Sequence, residues 1–66
     1  MDPVEFFGTK AGKVWEALSN GEKTINQICE VTGLTRREVA MGLGWLAREG
    51  KISIRKPGRH HVFRLL

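Results

Sequence analysis

The stretch Thr24–Ile52, TINQICEVTGLTRREVAMGLGWLAREGKI, limits the fold more than any other part of the chain. It holds two capping boxes eleven residues apart, Thr24 with Gln27 and Thr35 with Glu38. In each, a threonine hydroxyl and the side chain three residues on satisfy the orphan N–H groups that open a helix. Between them stands Gly33, where the first of these helices must end in a left-handed residue, and then Leu34, an apolar residue that drops toward a core. Ile25, Ile28, Cys29 and Thr32 form the buried stripe of the shorter helix. Val39, Leu43, Leu46 and Ala47 form that of the longer one, which runs from Arg36 to Arg48. So short a turn excludes antiparallel stacking and sets the two helices at a steep crossing.

The flanks fit around this unit. After Gly50, Lys51–Lys56 alternates, with Ile52 and Ile54 inward and Ser53 and Arg55 outward. Pro57-Gly58 is a turn signal. His61–Leu65 alternates back, with Phe63 and Leu65 inward. The result is a β-hairpin with a basic tip of Arg55, Lys56, Arg59, His60 and His61, and on a strand the two histidines face opposite ways. Upstream, Thr9–Asn20 reads as a first helix with Ala11, Val14, Trp15 and Leu18 on its apolar stripe, capped by Gly8 or Thr9. Gly12 inside it costs about 1 kcal/mol relative to alanine, which a close helix approach would explain. Trp15 is expected in the core. Residues 1–8 then read as an N-terminal arm carrying Val4, Phe6 and Phe7, and 9–66 as one domain.

AGKVWEAL, GLTRREVAMGLGWLAREGKI and the hairpin resemble a group of short prokaryotic winged helix-turn-helix proteins catalogued as a domain of unknown function. The likeness covers about residues 8–66, and GLGWLAREGKI is its most specific part. The broader spacing Thr35-x3-Val39-x3-Leu43-x2-Leu46-x3-Gly50-x-Ile52 is similar to that of many winged-helix transcription regulators. The resemblance implies an α+β winged helix-turn-helix fold, three helices followed by a two- or three-stranded antiparallel wing. Glu22-Lys23 would supply the short extra strand. It also implies homodimers and a role in binding double-stranded DNA.

Composition narrows the chemistry. A chain of 66 residues makes one domain with a small core. Cys29 is the lone cysteine, which excludes an internal disulfide and fits a reducing interior. No apolar run approaches the ~18–20 residues of a membrane span. The acidic start Met1-Asp2-Pro3-Val4-Glu5 is unlike a signal peptide. A cytoplasmic protein is expected, with no membrane partner. No nucleophile–base pattern is present, Gly42-x-Gly44 lies inside a helix rather than in a phosphate loop, and one cysteine with two histidines makes no zinc set. An enzyme is therefore not expected, nor a metal, a cofactor or a small-molecule ligand.

Charge is uneven. Residues 1–35 carry three Lys/Arg against five carboxylates, and residues 36–66 carry eight against two. A basic half points to a polyanion. In a DNA complex the third helix would enter the major groove by its N-terminal end, where Arg36 and Arg37 stand ready for guanine edges. Arg55, Lys56, Arg59 and His60 on the wing, with Arg48, Lys51 and Arg64 beside them, would reach phosphates. Yet the middle of that helix offers Ala40, Met41, Gly42, Gly44 and Trp45, which give base edges little to bond. That supports a second reading, in which Phe6, Phe7, Met41, Gly44 and Trp45 form a protein interface. Alternatively, the Phe6-Phe7 arm covers that face.

Overall fold

A computed structural model describes residues 1–66. Three helices, α1 (Pro3–Leu18), α2 (Ile25–Thr32) and α3 (Arg36–Arg48), precede two antiparallel strands, β1 (Ile52–Arg55) and β2 (Val62–Leu65). Register pairs Ile52 with Leu65 and Ile54 with Phe63. Lys23 adds a single antiparallel bridge to Phe63, with both backbone bonds made at 3.0 and 2.9 Å. The wing is thus two strands plus one bridging residue at the place expected for a third, and β2 lies between the bridge and β1.

Both capping boxes form with their reciprocal bonds. Thr24 Oγ1 accepts from the Gln27 amide while Gln27 Oε1 accepts from the Thr24 amide. Thr35 and Glu38 do the same at the head of α3. Gly33 sits at φ 76°, and its N–H donates to the Cys29 carbonyl. Gly50, at φ 70°, closes α3 with the Gly50 and Lys51 amides donating to the Ala47 and Leu46 carbonyls. Thr32 Oγ1 bonds back to the Ile28 carbonyl and accepts the Leu34 amide, which stiffens the turn. These local bonds set the α2–α3 angle before tertiary packing adds to it.

The core is Ala11, Val14, Ala17, Leu18, Ile28, Val39, Leu43, Leu46 and Phe63, with Ile25, Cys29, Leu34, Trp45, Ile52 and Leu65 packed at its margin. Four expectations are corrected. First, the segment 1–8 is no arm leading up to a helix at Thr9. Asp2 caps the helix by accepting the Val4 amide at 3.1 Å, Pro3 occupies the first turn, and Gly8 lies within α1. An aspartate cap followed by proline is a strong helix start, and Gly8 is only a propensity cost inside it. Second, Trp15 is 46% exposed, because Ala17 takes the core position and turns the buried stripe away from it.

Third, the close helix approach lies at Gly42, not Gly12. A Cβ built on Gly42 would come within 2.9 Å of Val14 Cγ2 and 3.0 Å of the Lys10 carbonyl oxygen, while Gly12 faces open space. Gly42 is buried with Val39, Leu43 and Leu46, and Ala47, assigned to that stripe from the sequence, is exposed. Fourth, Ile54 is 56% exposed although its cross-strand partner Phe63 is buried. Flanked by Lys23 and β1, β2 holds Phe63 over the core, whereas β1 is the sheet edge and carries Ile54 past it toward the tip.

Candidate nucleic-acid interface

Arg36 and Arg37 open α3 and are exposed, lifted from the core because Val39 is the first buried position of the helix. Arg37 and Arg48 lie eleven residues apart, just over three turns, on one line of the helix about 16 Å long. Between these arginines the exposed surface is Ala40, Gly44 and Ala47. The bare middle foreseen in the sequence is therefore present, but it contains fewer residues than expected, since Gly42 is buried and Met41 and Trp45 are half-buried. Phe7 stacks on Trp45 with ring centroids 6.4 Å apart, and Phe6 meets Phe7 edge-on at 5.2 Å. Lys10 Nζ lies 3.5 Å from the Phe6 ring centroid. Aromatic residues of α1 thus cover one flank of α3.

On its other flank α3 meets the wing. Leu43, Gly44 and Ala47 with Ile52, Ile54 and Phe63 line an apolar groove of 210 Å³. Ser53 also lines it, and its hydroxyl is the one side-chain hydrogen-bonding group there. Nearer the helix start, Arg36, Arg59, His60 and His61 line a 120 Å³ cleft with Thr24 and Asn26 at the head of α2. Arg36 Nη1 donates to Asn26 Oδ1. Here the sequence reading is corrected again. The hairpin tip from Pro57 to His60 is a bend rather than strand, so His60 and His61 do not alternate but line the same cleft. His61 and Asn26 are functional candidates that the sequence reading passed over. The only signal for Asn26 is its place two residues past a helix cap.

The remaining basic residues part company. Arg55 makes a two-pronged ion pair with Glu22, Nε to Oε2 at 3.1 Å and Nη2 to Oε1 at 2.5 Å. That bond holds the Glu22 carboxyl below the usual glutamate range and raises Arg55, so this arginine stays charged with a carboxylate beside it and ties the wing to the α1–α2 connection. Lys51 sits 3.6 Å from Glu49 and lines a different groove, of 330 Å³, with Gly8, Gly12, Trp15 and Trp45 between α1 and α3. It does not join the cleft. Arg37, Arg48, Lys56, Arg59 and Arg64 are exposed and make no ion pair. Glu38, with its carboxyl held down by the Thr35 backbone bond, is engaged in its cap and leaves Arg36 and Arg37 unpaired by acid.

The model of a winged helix-turn-helix domain matches residues 1–65. An uncharacterized protein of Methanocaldococcus jannaschii is 39% identical over 61 residues, spanning 88% of this chain and 87% of its own. The solution NMR structure of a Bacteroides thetaiotaomicron protein superposes with a TM-score of 0.82 at 32% identity, covering 96% of this chain and 79% of that one. The crystal structure of a possible transcriptional regulator for arsenical resistance gives 0.77 at 25% identity, covering 100% and 70%. A Mycobacterium tuberculosis protein gives 0.76 at 21% identity over 98% and 75%, a likeness of fold alone.

Proposed function

The chain belongs to the winged helix-turn-helix domain family DUF2582, a domain of unknown function, and from that premise we propose that it binds double-stranded DNA mainly through phosphates, as a small transcription regulator. One observation carries the reading. The helix start, the helix end and the wing tip present Arg36, Arg37, Arg48, Lys56 and Arg59, all exposed and none paired with a carboxylate. Its likeness to a possible transcriptional regulator adds support. The surface between these arginines is small and apolar, so affinity comes from charge and groove shape more than from base hydrogen bonds. Arg37 is the residue best placed for a base edge, since Arg36 is engaged by Asn26.

Observing amide NMR resonances during titration with a short duplex tests this. Shifts should fall on Arg36–Ala40, Gly44, Arg48 and the wing tip, and spare the α1 face that carries Val4 and Trp15. A duplex that shifts only α1, or nothing at low salt, would sink the reading.

A homodimer is the second part of the proposal, and α1 supplies its support. Val4 and Trp15 are 62% and 46% exposed, with Gly8 and Gly12 between them on the same face. Trp15 and Trp45 wall the groove beside that face. The interface assigned from sequence to Phe6, Phe7, Met41, Gly44 and Trp45 then contributes through its edge, since Phe7 and Trp45 already cover one another. A core this small gains from a partner chain. Two joined copies would also offer DNA two helices in place of one.

A further inference from the structure

The cleft between the wing tip and the head of α2 concentrates basic groups without any acid. Two arginines and two histidines line it, Arg36 from α3 and Arg59, His60 and His61 from the hairpin. The other polar side chains there, Thr24 and Asn26, are uncharged, and both ion pairs of the protein lie elsewhere. Arg36 spends one of its N–H donors on Asn26 and has no other partner within the chain. The side chains of Arg59, His60 and His61 have no hydrogen-bond partner within the chain.

Cations gathered around one cavity repel unless an anion sits among them. The amides of Ile25 and Asn26, in the first turn of α2, lack intrahelical acceptors and add partial positive charge at the same mouth. At 120 Å³ the cleft is several times the ~10–15 Å³ that a single water needs, which leaves room for a polyatomic anion. The guanidinium groups are planar forks that match phosphate oxygens two at a time.

We propose that this cleft is a seat for one phosphate group, gripped by Arg36 and Arg59 with His60 and His61, and that its occupant fixes the wing tip against α2. The occupant rests on the DNA-binding reading above only in part, because a backbone phosphate of a duplex and a free phosphate ion present the same chemistry. An occupant would join the wing tip to the head of α2 at a second point, beyond the Lys23–Phe63 backbone bridge. It also gives Arg36, which the Asn26 bond holds at the cleft, a defined role.

Inorganic phosphate, added at constant ionic strength against a chloride control, tests the seat by NMR. The full chain should show saturable shifts in the Thr24–Asn26 amides and in the imidazole resonances of His60 and His61. In R36Q/R59Q the apparent affinity should fall about tenfold or more. In H60N/H61N, which leaves the Arg36–Asn26 bond in place, it should also fall. No saturable response to phosphate in the folded wild type, or an affinity unchanged in R36Q/R59Q, would overturn the proposal. Duplex added at saturating phosphate then identifies the occupant. Competition assigns the seat to backbone phosphate, and independent binding assigns it to free phosphate. Duplex binding with no phosphate response sinks the seat alone. A phosphate response with no duplex binding supports the seat and sinks the DNA reading instead.

Discussion

At Gly42 α3 packs directly against α1, with no room for a side chain between them. A methyl group there meets the Lys10 carbonyl, which is backbone and cannot swing aside, as well as Val14 in the middle of the core. Gly42→Ala should therefore cost roughly 1–3 kcal/mol through overpacking. Gly44→Ala and Gly12→Ala place the same methyl in open space within helices and should stabilise by up to about 1 kcal/mol. Thermal unfolding of the three variants checks the signs, with a shift of several degrees expected for each kcal/mol in a domain this size. Equal effects at Gly42 and Gly44 would contradict the packing account. The sequence could not separate these glycines, because periodicity is read from side chains and a buried glycine leaves no apolar mark. Trp15 misleads in the opposite sense. A large apolar residue at stripe spacing reads as core, and only the contacts of Ala17 show that the stripe has rotated past it.

The elements that were legible are those fixed by local chemistry. The caps of α2 and α3, the Gly33 turn and the Gly50 stop are all short-range bonds that particular residue types make, and they stand where the sequence puts them. The start of α1 and the tip of the wing were not legible. In α1, Gly8 interrupts the apolar pattern and hides an Asp2-Pro3 start whose signal is just as local. At the tip, alternation was carried one residue too far, and the cleft lining depends on where the strand ends. That end is fixed by pairing and by the Glu22–Arg55 bridge across 33 residues, which no local pattern reports. The extended α1 is also the element that carries the dimer proposal. Trp15→Glu puts a charge on its exposed face without entering the core. Sedimentation velocity near 100 µM should show a dimer for the wild type and a monomer of unchanged helicity for W15E. A wild type that stays monomeric at every concentration, or a W15E that still dimerises, would refute the α1 interface.

At the scale of the molecule the chain divides by charge. Its first half is acidic and mostly support, while its second half is basic and carries α3 and the wing. No helix is long and apolar enough to cross a membrane. Folding brings Arg36, Arg59 and His60 to one cleft, leaves Arg37, Arg48 and Lys56 unpaired, pairs Arg55 with Glu22 and sends Lys51 to the opposite groove. The basic residues chosen from sequence thus remain at the surface, and their division into groups is tertiary information. With the basic residues so divided, about four phosphate contacts are expected per chain, for a slope near −3.5 in a log–log plot of affinity against salt. Binding of a labelled duplex measured by fluorescence anisotropy from about 20 to 200 mM salt is the most direct test that the protein is a phosphate-directed DNA binder. The account predicts tight binding at low salt and a steep, linear loss with a slope of about −3 to −4 per chain. No binding at 20 mM, or an affinity that does not change with salt, would contradict it.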